Sequence, residues 1–552
     1  MNDYAKERIL PKLSQNLQRI REIAHNSSDL LVNEFVLSGL PAALLCCEGM
    51  LSTSTITELI LRPIVEIQLE HPTAEQIFQH IQKHQLFSTD RAEALNYRDL
   101  FRFLNSGFAV LVLDGCQKAL VFGVQGYDKR SVSTPSGENN IFGAKDGFVE
   151  VVRTNMSLIR RRMKSPFLKL ELGCYGDKSQ TDLCICYLYD RVPQALIQKI
   201  KRQLSSMKLE SILSSGYIRP FLETSRPSLF DTISTTQRPD VFCAKLLEGR
   251  VGILIDGTPF ALVIPKLFNE SFQSMDDYCY KPYYATFLRW LKYAAFLVAL
   301  LLPALYVAIA LHHPELLNRT LLLILAESEE TAPLSLTTEA IGILLVYEII
   351  REAGLRLPQA VGGAVSIVAG LIVGDAAVSS GLISTPMLTV TAISVIAGFV
   401  IPDLNPPISI LRLAFVLAGG MGGLFGISLL GAAVLFHICA AQNHGFPLTA
   451  PVAPFRKRGM RDILYRADFP TMQSGNFTVE EYHEKTSQTA TQPVDDDFNA
   501  LSCLFRDVCS ISVYVRAAHW HSDFHRATNF ALHSGISFDS PNGQPCSPLQ
   551  GT

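Results

Sequence analysis

Three acidic residues lie within or beside long apolar stretches in the second half of the chain: Glu339, Glu348 and Asp375. A carboxylate at the centre of a membrane helix costs roughly 2.5–3.5 kcal/mol on insertion scales, so such a residue faces water, a charged partner or another subunit. Residues of this type can attract cations or form an ion pair inside the protein. From the residues alone, ion conduction and structural pairing both remain open for these acids.

Spacing limits how these acids can act together. Glu339 and Glu348 are nine positions apart, and at 100° per residue their helical faces differ by about 180°. They cannot both face one narrow pore unless the helix is broken. Glu348 can instead pair with Arg351 at i+3, and the pattern does not choose between pairing and ion conduction. Asp375 has no basic residue within one turn, which favours water or another subunit.

A basic cluster, Arg160, Arg161 and Arg162, ends a helix that the pattern predicts over 148–164. Its chemistry would be contact with lipid phosphates or a partner subunit, and a solvated face is the alternative. Residues 1–288 contain no phosphate loop, nucleophile elbow or metal-ligand spacing. We therefore expect no enzyme, no cofactor and no metal site. The net charge of −3 gives no electrostatic basis for binding nucleic acid.

The elements that must position the three acids lie between residues 290 and 441. A spanning helix needs about 20 mostly apolar residues, and several such runs stand together with basic residues at both outer ends. This pattern predicts a polytopic α-helical membrane domain over 289–441 rather than a large soluble helical core. The cleanest runs are 293–311, 358–378, 387–401 and 408–441.

Basic residues at both ends of this region place both ends in the cytoplasm, which requires an even number of crossings. Six crossings are favoured, with 408–441 forming two short helices that meet at Gly419–Gly423. Five crossings with a re-entrant piece between 316 and 350 are the alternative. Arg412, near the start of its run, is expected to reach the interface.

The preceding part of the chain contains two matching hairpins. Gly107–Gly115 and Gly249–Gly257 are each an apolar run ending in Asp-Gly, and each is followed by a second apolar run. Asp-Gly between apolar runs predicts a tight β-turn, so Asp114 and Asp256 are expected to form turns. The prediction is an α+β N-terminal soluble module of two related lobes. The predicted boundaries are 1–28 for an N-terminal helical extension, 29–135 and 136–285 for the lobes, 289–441 for the transmembrane domain, 442–473 for a basic cytosolic segment and 474–552 for a divergent, disordered tail.

Longer motifs carry a family resemblance. They are Gly147-Phe-Val-Glu150, Ser157-Leu-Ile-Arg-Arg-Arg162, Arg238-Pro-Asp240, Leu247-Glu-Gly-Arg250, Asp256-Gly-Thr-Pro-Phe-Ala-Leu-Val-Ile-Pro265, Arg351-Glu-Ala-Gly354, Pro358-Gln-Ala-Val-Gly362 and Gly374-Asp-Ala-Ala-Val378. Over roughly 30–470 the chain resembles the GerA family, the A subunits of bacterial spore germinant receptors. It departs from that pattern at Gln237, where the family usually has Glu, and at Asp375, where it usually has Gln.

The resemblance implies a role in spore germination, in the spore inner membrane, with the N- and C-terminal parts in the cytoplasm. It implies assembly with a transporter-like B subunit and a lipoprotein C subunit. It also implies an oligomer of A subunits that conducts ions when nutrient binds. On that mechanism we expect Glu339, Glu348 and Asp375 to be polar lining or gate residues of the pore. One alternative is a non-conducting scaffold, similar to a related sporulation membrane protein that associates with receptors. A secondary transporter is another, although the spans show no inverted repeat.

Overall fold

The computed structural model describes residues 3–51, 53–65, 67, 69, 72–84, 91–126, 138, 140–223, 228–330, 333–357, 374–457 and 459–472. All of these belong to one compact unit, 1–483. The predicted tail over 474–552 and most of the predicted span over 358–378 lie outside the described residues.

The first part of the fold is a five-stranded antiparallel sheet with helices on both faces. In space the strands follow the order β1-β2-β4-β5-β3. Helices α1 and α3 cover one face, and α2 with the helical turns over 53–65 covers the other. The bounds are α1 Leu13–Ile23, β1 Leu30–Leu37, β2 Leu40–Cys47, short turns Thr53–Ile56, Thr57–Leu61 and Arg62–Val65, α2 Ala74–His84, β3 Arg91–Ala94, α3 Tyr97–Leu104, β4 Phe108–Leu113 and β5 Ala119–Gly123.

The second part repeats this arrangement with another five-stranded sheet, in the order β6-β7-β9-β10-β8. Helices α4 and α7 cover one face, and α5 and α6 cover the other. The bounds are α4 Val152–Arg162, β6 Leu168–Tyr175, β7 Thr181–Leu188, α5 Gln194–Ser206, α6 Ser215–Leu222, β8 Ser234–Thr236, α7 Pro239–Leu247, β9 Val251–Ile255 and β10 Ala261–Ile264. The predicted α+β N-terminal module is therefore confirmed.

The two lobes match in hydrogen bonding as well as in strand order. Asp114 Oδ1 accepts from the Leu13 amide at 2.7 Å, and Asp256 Oδ1 accepts from the Val152 amide at 2.9 Å. Each aspartate thus holds the first residue of the helix that precedes its own sheet. Strands β4 and β5, and likewise β9 and β10, pair as antiparallel hairpins across the Asp-Gly turns. The two predicted hairpins are confirmed.

Helix α1 lies in the predicted N-terminal extension, 1–28, but it packs as part of the first lobe. Its buried residues Leu17 and Ile20 share a core with Leu45 and Val110 of the sheet. Helix α4 occupies the matching place in the second lobe. The first lobe therefore includes α1, which the sequence pattern had placed in a separate N-terminal extension.

In the described part of the chain a helical bundle follows, and it contains five helices of 12 or more residues. Its helices are α8 Pro282–His312, α9 Arg319–Glu330, α10 Leu336–Arg356, α11 Thr385–Phe399 and α12 Asn405–Ala440. Among the described residues, two helical stretches, Pro282–His312 and Pro402–Ala440, are long and apolar enough to cross a membrane. The number of crossings, six or five, stays a prediction.

Helix α12 reverses direction in its middle. Gly423 has φ 57° and ψ −143°, outside the helical region. A Cβ added at Gly426 would lie 2.2 Å from the Ala418 carbonyl oxygen, and one added at Gly431 would touch the Phe415 ring. In a straight helix, residues 16 positions apart are about 24 Å apart. The predicted pair of short helices meeting within Gly419–Gly423 is therefore confirmed.

Residues 442–472 return to the second lobe. A two-stranded hairpin, β11 Gln442–Asn443 and β12 Phe446–Pro447, brings Phe446 and Ala450 into the core beneath α5 and α6. The Phe268 amide donates to the Leu448 carbonyl at 2.8 Å. The predicted basic segment over 442–473 therefore packs against the second lobe over its described residues.

Candidate functional site in the helical bundle

Glu339 lies in the first turn of α10 and is 1% exposed. Its Oε1 accepts from the amide of Ser384 at 2.6 Å and from the Ser384 hydroxyl at 2.7 Å. Ser384 is the N-cap residue of α11, and a negative charge is stabilised by the unpaired amides and dipole at a helix N-terminus. Glu339 Oε2 has no hydrogen-bond partner among the described residues. One oxygen therefore ties α10 to α11, and the other is buried without a donor.

Glu348, two and a half turns further along α10, belongs to a different group. Its Oε2 lies 2.6 Å from Arg351 Nη2 and its Oε1 lies 3.4 Å from Arg412 Nη2. Arg412 comes from the first half of α12 and is 3% exposed. We call Glu348, Arg351 and Arg412 the Glu348 cluster.

The Glu348 cluster connects four helices. Arg412 Nη1 donates to the Ser394 hydroxyl of α11 at 3.3 Å, and that hydroxyl donates to the Ala299 carbonyl of α8 at 2.8 Å. The Arg412 guanidinium also lies 5.6 Å from the centre of the Tyr347 ring. The expectation that Arg412 reaches the interface is therefore wrong, because its charge is held inside the bundle by an acid, a hydroxyl and an aromatic face.

The three predicted acids do not form one site within a single chain. No hydrogen bond or ion pair joins any two of Glu339, Glu348 and Asp375 in the described part of the molecule. Asp375 is exposed and lies in a short helical stretch, 374–379. Glu339 and Glu348 point to different helices, as their predicted 180° separation requires.

Below the bundle, one cluster connects the second lobe, α8 and the C-terminal segment. The Arg289 side chain is fully buried: its Nε donates to Asp277 Oδ2 at 3.1 Å, and its Nη1 donates to Asp462 Oδ1 at 3.0 Å. Lys292 adds a contact to Asp277 at 3.5 Å, and the Tyr278 hydroxyl donates to Asp462 Oδ2 at 2.7 Å. We call these five residues the junction.

Electrostatics favour a fixed arrangement at the junction. Burial, and then the Asp462 carboxylate, raise the pKa of the Tyr278 phenol well above its usual value, so it remains a hydrogen-bond donor. A cavity of about 50 Å³ lies beside it, lined in part by Arg250, Glu270 and Asp462. Organic ligands occupy pockets of roughly 300–1,000 Å³, so this space suits ordered water rather than a nutrient.

The predicted basic cluster divides into two environments. Arg160 is 3% exposed, and its Nη2 lies 2.7 Å from Asp29 Oδ2 in the first lobe. Its Nε also donates to Asp29 Oδ2 at 2.9 Å, while Nη1 donates to the Ser165 carbonyl and Nη2 to the Leu168 carbonyl. This burial contradicts the predicted contact of Arg160 with lipid or a partner subunit. Arg161 and Arg162 both pair with Asp146 and keep part of their surface in solvent.

Comparison with known protein families decides the family of the chain. The family model described as Bacillus/Clostridium GerA spore germination protein matches residues 18–476. The chain belongs to the GerA family. The relation that the motifs predicted is confirmed, and it places the chain in a family of spore germinant receptor A subunits.

Two relatives cover most of this GerA-family chain, and one solved structure covers about half of it. Spore germination protein KA of Bacillus subtilis (strain 168) is 35% identical over 464 residues, which cover 83% of this chain and 85% of that protein. The uncharacterized membrane protein YfkQ of the same organism is 33% identical over 504 residues, covering 90% and 97%. The crystal structure of the N-terminal domain of the A subunit of the Bacillus megaterium spore germinant receptor GerK3 is 31% identical and covers 48% of this chain and 98% of that one, with a TM-score of 0.37.

Sequence reasoning missed several polar partners in the GerA-family bundle. Ser384 and Ser394 carried no signal, because a serine in an apolar run is common and its partners lie 45 and 95 positions away. In the sequence, Arg289 looks like any basic residue at the edge of an apolar run. Its two acidic partners, Asp277 and Asp462, precede and follow the helical bundle in the sequence, and only folding brings them together.

Proposed function

We propose that this chain is the membrane subunit of a nutrient-triggered spore germinant receptor and that several copies form an ion-conducting pore. Ligand occupancy in a partner subunit shifts a two-state equilibrium of the helical bundle, and monovalent cations then leave the spore. Membership of the GerA family supports the role in germination. The observation that carries the proposed conduction is the buried Glu339, one carboxylate oxygen of which has no donor among the residues that the structure describes.

The exposed position of Asp375 supports assembly from several copies. In a single chain this acid faces outward beside apolar helices. A carboxylate at membrane depth requires water or another subunit. A ring of identical chains supplies both, so Asp375 and Glu339 are proposed to line or gate the oligomeric path.

The proposed location is the spore inner membrane, with the N- and C-terminal parts in the cytoplasm. The reversal of α12 supports this arrangement, since it returns the chain to the second lobe, where α8 also begins. The proposed partners are a transporter-like B subunit and a lipoprotein C subunit. The junction gives a route by which a movement of the soluble lobes would reach α8.

The test measures cation release from spores that depend on this chain. Glu339→Gln keeps the size and hydrogen-bond acceptor of the side chain and removes its charge. We expect slower cation release after nutrient addition with an unchanged amount of chain in the membrane. Glu352→Gln is the matched control, because Glu352 is an exposed acid of the same helix that pairs only with Arg356 among the described residues.

A broader variant tests the whole set of acids. If Glu339→Gln, Glu348→Gln and Asp375→Asn together left both cation release and assembly unchanged, the chain would not conduct through these residues. A non-conducting scaffold is the second candidate function. It is favoured by Glu348, whose two carboxylate oxygens pair with Arg351 and Arg412, as expected of a structural ion pair. Ion leak through purified oligomers in liposomes distinguishes a pore from a scaffold.

A further inference from the structure

The first two and a half turns of α8 have an inverted distribution of polar and apolar side chains. Their outward face consists of Tyr283, Tyr284, Phe287, Trp290 and Leu291, which are between 43% and 73% exposed. We call this face the aromatic stripe. The opposite face points into the protein and includes Arg289, which is fully buried in the junction. A helix at a water-exposed surface has the reverse pattern.

The aromatic stripe continues without a break into the apolar part of the same helix. Positions 283, 287, 290 and 297 follow helical spacing along one face, and Leu297 is 54% exposed. Large apolar side chains exposed in a row mark a surface that another phase or molecule covers. Because the stripe and the apolar part of α8 form one continuous face, the same surroundings cover both. In the proposed membrane location these surroundings are the lipid bilayer.

The length of α8 fixes the depth of the stripe. Its 31 residues extend for about 46 Å at 1.5 Å per residue. The hydrocarbon core of a bilayer is about 30 Å thick, and the headgroup layers bring it to about 40–45 Å. If residues 292–311 fill the core, the aromatic stripe lies in the headgroup layer on the side of the second lobe.

The residue types match that layer. Tyr and Trp are enriched at the membrane interface because each ring has an apolar body and a polar group. The Trp290 indole donates to the Leu464 carbonyl at 2.7 Å, so its polar group is satisfied while its ring stays outside. Lys281, which is exposed and directly precedes α8, adds positive charge beside the stripe, and positive charge is attracted to anionic headgroups.

A loop of the second lobe extends the same surface. The amides of Ile141 and Phe142 donate to the Asp276 carboxylate at 3.1 and 2.9 Å. This clip holds both side chains outward, 72% and 48% exposed, and the Phe142 ring lies 5.4 Å from that of Tyr280, just before α8. Exposure of two large apolar side chains to water is unfavourable, so this loop is better suited to contact with an apolar surface.

We propose that the aromatic stripe, with Ile141 and Phe142, is a docking surface for the headgroup layer of an anionic bilayer, which sets the depth of the second lobe against the membrane. This inference rests on the proposed membrane location and adds to it the residues that contact lipid outside the spans.

The tryptophan content of the chain permits a direct test. The two tryptophans are Trp290 and Trp520, so Trp520→Phe leaves Trp290 as the single reporter. The full-length variant is reconstituted into liposomes of anionic lipid that carry bromine either near the headgroups or near the chain ends. We expect Trp290 emission at short wavelength, with a larger loss of intensity from bromine near the headgroups.

A control variant places the reporter on the first lobe. Val36→Trp in a background of Trp290→Phe and Trp520→Phe puts tryptophan on an exposed position of β1, and its emission should not respond to bromine. If the chain floats with the liposomes and Trp290 is not quenched, the docking surface is wrong although the membrane location stands. If the chain does not float with liposomes, the proposed membrane location itself fails.

Discussion

Arg160 and Asp29 form a buried ion pair between the two lobes, with Arg160 Nη2 2.7 Å from Asp29 Oδ2. The Ser27 hydroxyl donates to the other Asp29 oxygen at 2.6 Å. Both charges are therefore fully compensated, which is the condition under which a buried pair is tolerated. The contact ties the start of the first sheet to helix α4 of the second lobe.

Removing one member of this pair should destabilise the protein strongly. Arg160→Ala leaves Asp29 buried without its cation, which typically costs about 3–5 kcal/mol. Arg161→Ala is the matched control, because its pair with Asp146 is partly exposed and should change stability by about 1 kcal/mol or less. Thermal unfolding of the two purified variants, followed by near-UV circular dichroism, makes the comparison. Equal melting temperatures would show that the lobe contact does not depend on the ion pair.

The matching aspartates of the two lobes should respond alike to substitution. Asp114→Ala and Asp256→Ala each leave the first amide of a helix without its acceptor, for a loss of about 1–3 kcal/mol. Asp256→Asn keeps an acceptor oxygen and should lose less. Denaturant unfolding of the single and double variants measures the effects, and the losses should add, because each contact lies within its own lobe. A large loss at only one of the two aspartates would argue against equivalent roles.

The reversal of α12 should be sensitive to one glycine and insensitive to its near neighbour. A Cβ on Gly419 would lie 2.8 Å from the Ala304 carbonyl oxygen of α8, whereas a Cβ on Gly422 would meet nothing within 4 Å. Backbone cannot give way as a flexible side chain can, so Gly419→Ala should cost about 1–3 kcal/mol. Gly422→Ala should be close to neutral. The amount of folded chain recovered from membranes in mild detergent tests the pair, and equal recovery would show that α8 and α12 are not so closely packed.

His444 should make stability depend on pH in a defined window. Burial, and then the charge of Lys199, lower the pKa of this histidine from 6.5 to about 4. Between these values the unfolded chain binds the proton and the folded chain does not, so stability falls as the pH decreases from 6.5 towards 4. Below about pH 4 the full loss in the free energy of unfolding is about 3 kcal/mol. Above pH 6.5 His444 is neutral in both states, and none of this stability is lost.

A substitution isolates this effect. His444 has φ 53°, a conformation that Asn tolerates better than most residues, so His444→Asn removes the titration with little strain. The melting temperature of the variant should fall less than that of the unchanged protein between pH 6.5 and pH 4. Parallel curves would show that His444 is protonated in the folded state as readily as in the unfolded one.

For the two lobes, the local sequence pattern was sufficient to predict those features that depend on neighbouring residues. The Asp-Gly turns follow from the positive φ that glycine permits, which is 87° at Gly115 and 85° at Gly257. The place of α1 was not predictable in the same way. A polar surface helix and a helix that packs on a sheet have the same amphipathic spacing, and only the later strands show which one it is.

In the bundle, the spacing of the acidic residues predicted which way their side chains point better than it predicted which residues they contact. The opposite faces of Glu339 and Glu348 follow from helical geometry, and the structure sends them to Ser384 and to Arg412. Arg351, the partner of Glu348 on the same helix, follows from i+3 spacing, whereas the partners on other helices depend on how α10, α11 and α12 pack. Charge pairing over such sequence distances is set by the tertiary fold, so no window of sequence contains it.

The doubling back of α12 has a mechanical consequence. One end of this helical hairpin and the base of α8 both rest on the second lobe, where His437 Nε2 meets the Leu229 amide at 3.2 Å and Arg289 is clamped in the junction. Their far ends are joined to each other, with His312 Nε2 2.9 Å from the Gly420 carbonyl oxygen. Because α8 and α12 are attached to the second lobe at one end and to each other at the other end, a tilt of the lobe would move both helices together. It would not slide one helix past the other.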